Sequence, residues 1–138
     1  MDELKFAVIG NPVSHSLSPD IHLFFASQFQ LERYTYKKIK SNENDFERDI
    51  NDFFKKGGVG LNVTVPFKGL AYNLCDKLDQ SAVQCKSVNT ILIESGKLIG
   101  HSTDGQGLID DFLHREITLE DSRILIIGAG GSAASIIS

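Results

Sequence analysis

Gly57-Gly58-Val59-Gly60-Leu61-Asn62-Val63-Thr64-Val65-Pro66-Phe67-Lys68 is the stretch that decides how this chain folds. Two glycines close a helix-like segment, the β-branched run from Val59 to Val65 reads as a buried strand, and Pro66 suits the first position of a new helix. A strand running straight into a helix is the repeating unit of an open α/β sheet, which places its ligands at the carboxyl ends of its strands. Thr64 and Lys68 fall at that end. From this segment alone a plain surface lysine is an equal alternative.

The flanking sequence continues the alternation. Lys5 to Ile9 reads as a strand, Pro19 to Phe29 as a helix, Tyr34 to Ile39 as a strand and Asp45 to Lys55 as a helix. Ser18 is placed to cap the first helix, with Pro19 at its first position. Ile21, Phe24, Phe25 and Phe29 share one side of that helix, and Phe46, Ile50, Phe53 and Phe54 share one side of the next. These phenylalanines are expected in the core. Beyond the helix begun at Pro66, Val88 to Ile93 and Lys97 to Gly100 read as a hairpin through Glu94-Ser95-Gly96. Gly105 to His114 reads as a connecting helix with Asp104 at its cap. The expected fold is a three-layer α/β domain: a mostly parallel sheet, one strand antiparallel, and helices on both faces.

Thr118 to Ser122 is a polar break. After it, Arg123 to Ile127 reads as a short buried strand and Gly128-Ala129-Gly130-Gly131-Ser132-Ala133 fits the dinucleotide pattern G-x-G-x-x-A. One strand-helix-strand unit takes roughly 30 residues, more than remain before Ser138. The expected division is a ligand-binding domain over residues 1–103, a connecting helix and linker over 104–121, and over 122–138 the first strand and glycine loop of a Rossmann domain that is not completed. Exposed apolar residues of that incomplete part favour self-association, a homodimer in the simplest case.

With 138 residues, 41% hydrophobic and 23% charged, the chain can bury one core. A net charge of −4 and the lack of a basic run argue against nucleic acid and anionic membrane partners. The acidic, polar start Met1-Asp2-Glu3-Leu4-Lys5 lacks the features of a signal peptide, so a cytoplasmic location is expected. Cys75 and Cys85, ten apart, are expected to be reduced thiols. His15, His22, His101 and His114 have no metal-binding spacing, and no metal is expected.

Several residues carry chemistry. Ser16 and Ser18 put two hydroxyls beside a helix start, where a carboxylate or phosphate is favoured; by spacing alone a capping Ser18 and a solvated Ser16 fit at least as well. Lys68, in a helix's first turn, faces the positive end of the dipole, which disfavours its charged form and suits it to moving a proton. Asp104 is either a helix cap or the carboxylate that orients Lys68. Asn89, in the apolar Ser87-Val88-Asn89-Thr90, needs hydrogen-bond partners from the protein or from a ligand.

Taken together, Gly10-Asn11-Pro12 leading to Ser16-Leu17-Ser18-Pro19, then Asn62-Val63-Thr64-Val65-Pro66-Phe67-Lys68, Val88-Asn89-Thr90, Thr103-Asp104-Gly105 and Gly128-Ala129-Gly130-Gly131, resemble the shikimate dehydrogenase family in order and spacing. The resemblance spans Phe6 to Ser132. It implies reversible NADP-dependent reduction of 3-dehydroshikimate to shikimate, a step toward chorismate and the aromatic amino acids. Ser16 and Ser18 would take the substrate carboxylate, Thr64, Asn89 and Asp104 the ring hydroxyls, and Lys68 with Asp104 the proton transfer. Asn62 would support them. Gly128, Ala129, Gly130, Gly131 and Ser132 would hold NADP. Gln80 stands where the family commonly has an acidic residue, which weakens any cofactor contact there. Lys86-Ser87 replaces a common Gly-Ala, and Ser102 a common Asn. The chain by itself is expected to bind substrate without turnover; a shikimate-binding module and a quinate/shikimate dehydrogenase of broader choice are the alternatives.

Overall fold

The computed structural model describes residues 3–138; Met1 and Asp2, part of the acidic start, lie outside them. Gly58–Val63 form strand β3. It lies beside β1 (Leu4–Gly10) at the centre of a six-stranded sheet, with β2 (Tyr34–Lys40) at one edge. β5 (Thr90–Glu94), β6 (Lys97–His101) and the two-residue β4 (Lys77–Leu78) complete the order β2-β1-β3-β5-β6-β4. β1 runs parallel to β2 and β3, and β4 runs parallel to β6. β5 is antiparallel to both of its neighbours, as the hairpin pattern predicts. The β5–β6 turn is made by Ser95 and Gly96, both at positive φ, the geometry whose twist matches a two-residue hairpin.

Helices lie on both faces. α2 (Phe46–Lys55), α3 (Lys68–Leu74) and α4 (Gln80–Cys85) cover the larger core, in which Phe46, Ile50, Phe54 and Phe67 meet Ala7, Ile9, Leu61, Val63 and Ile91. α1 (Ser18–Gln28) covers the other face at β1 and β2, where Val8, Val13 and Tyr36 are buried. The α2 phenylalanines are core as expected. Those of α1 are not: Phe24 is 61% exposed and Phe29 75%, with Ile21 and Phe25 about half exposed. The helix turns Ala26 inward and stacks His22 on Tyr36, so the helical spacing holds but the apolar side faces outward.

Three local expectations are corrected at helix starts. α3 begins at Lys68, not at Pro66, which lies in a turn with a cis Val65-Pro66 bond. That turn is closed by the Phe67 N–H donating to the Thr64 carbonyl, and the Val65 carbonyl accepts from Asn11 N–H. At α1, Leu17 takes the capping position and Ser18 is the first helical residue, its hydroxyl turned away from the helix. At α5 (Asp104–His114), Thr103 takes the capping position and Asp104 points elsewhere.

β5 begins at Thr90, later than the expected Val88: Val88 N–H donates to the Lys68 carbonyl, outside the ladder, while Asn89 still donates to the His101 carbonyl and accepts from the Val63 N–H. Residues 123–127 form no strand: they have no partner in the sheet, and Ile124, Leu125 and Ile127 are 63%, 84% and 92% exposed. An apolar run needs a neighbouring strand and a covering layer to become a buried strand, and neither is present here. The glycine loop does lead into a helix, α6 (Gly131–Ile137), which packs on α5 and α4.

Candidate active site

The carboxyl ends of β1, β3 and β6 and the beginning of β5 converge on one cluster of polar side chains. β3 ends at Val63, so Thr64 and Lys68 follow directly from it; β6 ends at His101, so Thr103 and Asp104 follow from it. The Asn62↔Thr90↔His101 register brings the two ends level.

Lys68 Nζ donates to Asp104 Oδ2 at 2.5 Å. The other carboxylate oxygen of Asp104 accepts from Asn89 Nδ2 at 2.7 Å. Asn89 also donates to Thr103 Oγ1 at 2.9 Å, and its Oδ1 accepts from the Thr103 N–H and the Thr90 hydroxyl. The buried amide of Asn89 is therefore satisfied by the protein itself, and holds Asp104 in place. Lys68 is nearly enclosed, its side chain 12% exposed, while that of Asp104 is 26% exposed. This settles the two meanings of Asp104: its carboxylate is spent on Lys68 and Asn89, not on the N–H groups of its own helix.

Ser16 and Ser18 form a second group. The Ser16 hydroxyl donates to Ser18 Oγ at 3.0 Å and accepts from Ser18 N–H at 3.2 Å. Beside them lies Tyr36, whose hydroxyl is pushed up to about 12 by burial, with the Ser18 hydroxyl acting in the opposite direction. Tyr36 donates to Asn62 Oδ1 at 2.7 Å, and Asn62 Nδ2 reaches Thr90 Oγ1 at 3.2 Å and the Asn89 carbonyl at 3.4 Å. Asn62 thus joins the serine pair to the Lys68–Asp104–Asn89 group. The Thr64 methyl lies against Gly10, where any side chain on residue 10 would collide with it.

Sequence reasoning missed Tyr36, Thr90 and Thr103. The signal for Tyr36 was present: Tyr34 and Tyr36 alternate on one strand face, and a buried tyrosine hydroxyl needs a partner. Thr90 and Thr103 flank residues that were recognised, but nothing in spacing tells an adjacent threonine that bonds from one that does not.

Gly128 has φ +124, and a side chain at Gly128 or Gly130 would meet open space. Ser132 accepts from Lys68 Nζ at 2.8 Å and donates to Asp104 Oδ2 at 3.3 Å. Gln80 is exposed at the first position of α4. There the Asp79 carboxylate caps the helix by accepting the Ala82 N–H.

The fold is thus an open α/β sheet with hydroxyls, an amide and a lysine-carboxylate pair gathered at its strand ends. A family model described as the shikimate dehydrogenase substrate binding domain matches residues 8–91, and the chain belongs to that family. It is 45% identical over 133 residues to the shikimate dehydrogenase (NADP(+)) of Acinetobacter baylyi, covering 96% of this chain and 50% of that protein. The corresponding Legionella pneumophila (strain Lens) protein is 49% identical over 133 residues, 96% of this chain and 49% of its own length. Among solved structures, shikimate 5-dehydrogenase from Thermus thermophilus in complex with NADP(H) and shikimate matches with a TM-score of 0.89 at 32% identity, over 96% of this chain and 50% of that one. The chain spans about half the length of these relatives.

Proposed function

We propose that this chain binds shikimate and 3-dehydroshikimate, and that together with a nucleotide-binding half like that of its longer relatives it interconverts them as an NADP-dependent dehydrogenase. The observation that carries this reading is the Lys68–Asp104 pair held by Asn89 at the strand ends. The division proposed is a substrate domain over residues 1–103, a connecting helix and linker over 104–121, and the start of the nucleotide domain over 122–138. The enzyme would act in the cytoplasm, in aromatic amino acid and chorismate biosynthesis.

The geometry supports a division of labour. Ser16 and Ser18 hold the substrate carboxylate through hydroxyls pre-aligned on each other. Thr64, Asn89 and Asp104 face the ring hydroxyls. NADP, held at Gly128, Ala129, Gly130 and Gly131, supplies or accepts the hydride when bound. In reduction Lys68 gives a proton to the oxygen of the carbonyl that receives the hydride, and in oxidation it takes that proton back. Asp104 keeps the lysine nitrogen at a fixed place, and the near enclosure of the lysine keeps water from competing. The open loop backbone suits the cofactor, whereas Gln80 lends no charge to it.

A second reading, binding without turnover by this chain alone, is favoured by residues 123–127, whose exposed side chains build no sheet crevice for a dinucleotide. Calorimetric titration of the chain with shikimate, with quinate as competitor and Lys68→Ala as control, tests the proposal. Saturable binding that weakens in the variant is expected. No binding to the wild-type chain would overturn the assignment of the pocket to these residues, and equal binding of quinate would favour a broader quinate/shikimate enzyme.

A further inference from the structure

Ser132 belongs to the glycine loop, and its hydroxyl meets Lys68 and Asp104. It closes a triangle with the two groups of the acid-base pair: Lys68 Nζ donates to it at 2.8 Å, and it lies 3.3 Å from the same Asp104 oxygen that accepts from Lys68. From this arrangement we infer that Ser132 is a positioning residue for Lys68, selecting which of the three ammonium protons is the one transferred. The inference rests on the reading of Lys68 as the proton donor.

The stereochemistry is simple. An ammonium carries three N–H groups and no lone pair. Asp104 takes one and Ser132 takes a second, so the third is left pointing away from both. When that proton moves to the oxygen of the reduced carbonyl, the N–H bond breaks, an O–H bond forms, and a neutral amine remains. Its two residual N–H groups are those already held by Asp104 and Ser132, and its lone pair faces the new hydroxyl, ready for the reverse step. With Asp104 alone, two N–H groups would be left without an acceptor, and either could make the transfer.

The loop is anchored well enough to do this. One turn further along α6, Ser135 is buried, its hydroxyl 2.8 Å from Ser102 Oγ and accepting the Gly105 N–H at 2.9 Å. Gly105 lies so close to the Ser135 carbonyl that a side chain there would overlap it. A Cβ on Gly131 would come within 2.6 Å of Ser87 Oγ and 3.2 Å of the Lys68 stem. Ser102 stands where the resemblance noted a common asparagine, and its short hydroxyl is what meets Ser135. The helix is thus seated on the substrate domain at both ends of one turn, with Ser132 over Lys68.

Competitive acetylation of this chain with acetic anhydride, read by mass spectrometry at Lys68 against the exposed Lys97, tests the role without needing turnover. Ser132→Ala is expected to raise the Lys68 to Lys97 labelling ratio by about three- to tenfold, the range that one hydrogen bond spans. Ser132→Thr keeps the hydroxyl and is expected to restore the wild-type ratio, whereas Ser132→Val has the same shape without it and should behave as alanine. An unchanged ratio in Ser132→Ala, or a valine variant that behaves as wild type, would overturn the inference and reduce Ser132 to packing. Circular dichroism guards against unfolding. Because no substrate is present, failure of the shikimate assignment would show only in the calorimetry.

Discussion

Lys68 and Asp104 lie 36 positions apart in the chain and meet at 2.5 Å, the lysine nearly enclosed and the carboxylate held from its other side by Asn89. The two partners are not equivalent. Asp104→Ala leaves the Lys68 ammonium without its counter-charge, with only the Ser132 hydroxyl to accept from it, and leaves Asn89 Nδ2 with only Thr103, so a loss of about 2–3 kcal/mol in urea unfolding is expected. Lys68→Met leaves Asp104 with Asn89 and Ser132 and should cost less than about 1 kcal/mol. Equal losses from the two variants would show that the pair contributes by attraction alone.

Tyr36 predicts an alkaline limb to stability. Its hydroxyl is pushed from the ordinary tyrosine value of 10 up to about 12, chiefly by burial. Between those values the unfolded chain has released the proton and the folded one has not, so the folded state binds more protons and stability falls as pH rises. Its contribution is fully present below pH 10 and lost as the pH passes about 12. Tyr36→Phe should flatten that window of the stability curve. At neutral pH the same variant costs about 1–2 kcal/mol, because Asn62 Oδ1 loses its donor.

Lys86 and Ser87 are local faults that can be repaired. Lys86 ends α4 at φ 50, ψ 40, the left-handed region in which a side chain is strained and glycine is not. Ser87 Oγ is buried without a hydrogen-bond partner. Lys86→Gly is expected to stabilise the chain by about 1 kcal/mol, and Ser87→Ala by a similar amount through removal of a desolvated hydroxyl. Thermal unfolding of the single and double variants measures both. A lower midpoint for Ser87→Ala would mean that the hydroxyl has a partner.

Two phenylalanines that look alike in the sequence should respond oppositely. Phe46 is 2% exposed and tilted against Phe67, with ring centroids 4.9 Å apart, so Phe46→Ala is expected to cost about 3–5 kcal/mol. Phe29 is 75% exposed, and Phe29→Ala should stay within about 0.5 kcal/mol of wild type. Denaturant midpoints compare them directly. A large loss at Phe29 would show that the outer side of α1 is covered in solution.

The α1 result shows where reading by pattern stops. Periodicity predicts the helix and the shared side of Ile21, Phe24, Phe25 and Phe29, because both follow from 3.6 residues per turn. Whether that side is buried depends on what lies across from it, and α1 turns Ala26 and His22 to the sheet instead. The stretch 123–127 fails for the same reason. Its composition is that of a buried strand, but a strand exists only in a ladder.

Residues of the site were legible to the extent that their backbone setting was. Lys68 and Asp104 stand out as candidates because strand ends and helix starts can be recognised locally, and Ser16, Ser18, Thr64 and Asn89 because of the motifs that hold them. Sequence by itself determined the strand-helix alternation as far as Lys68, the hairpin with its antiparallel strand, the helix after Asp104, and the family, since these depend on short-range spacing, turn chemistry and ordered motifs; it did not show the short β4 and α4. Tertiary structure alone decided that the Asp104 carboxylate turns to Lys68 and not to its own helix, that Asn62 and Tyr36 join the two halves of the site, and that Ser132 faces the lysine. Those outcomes are set by which side chains converge when distant strand ends lie side by side, and no local rule carries that distance.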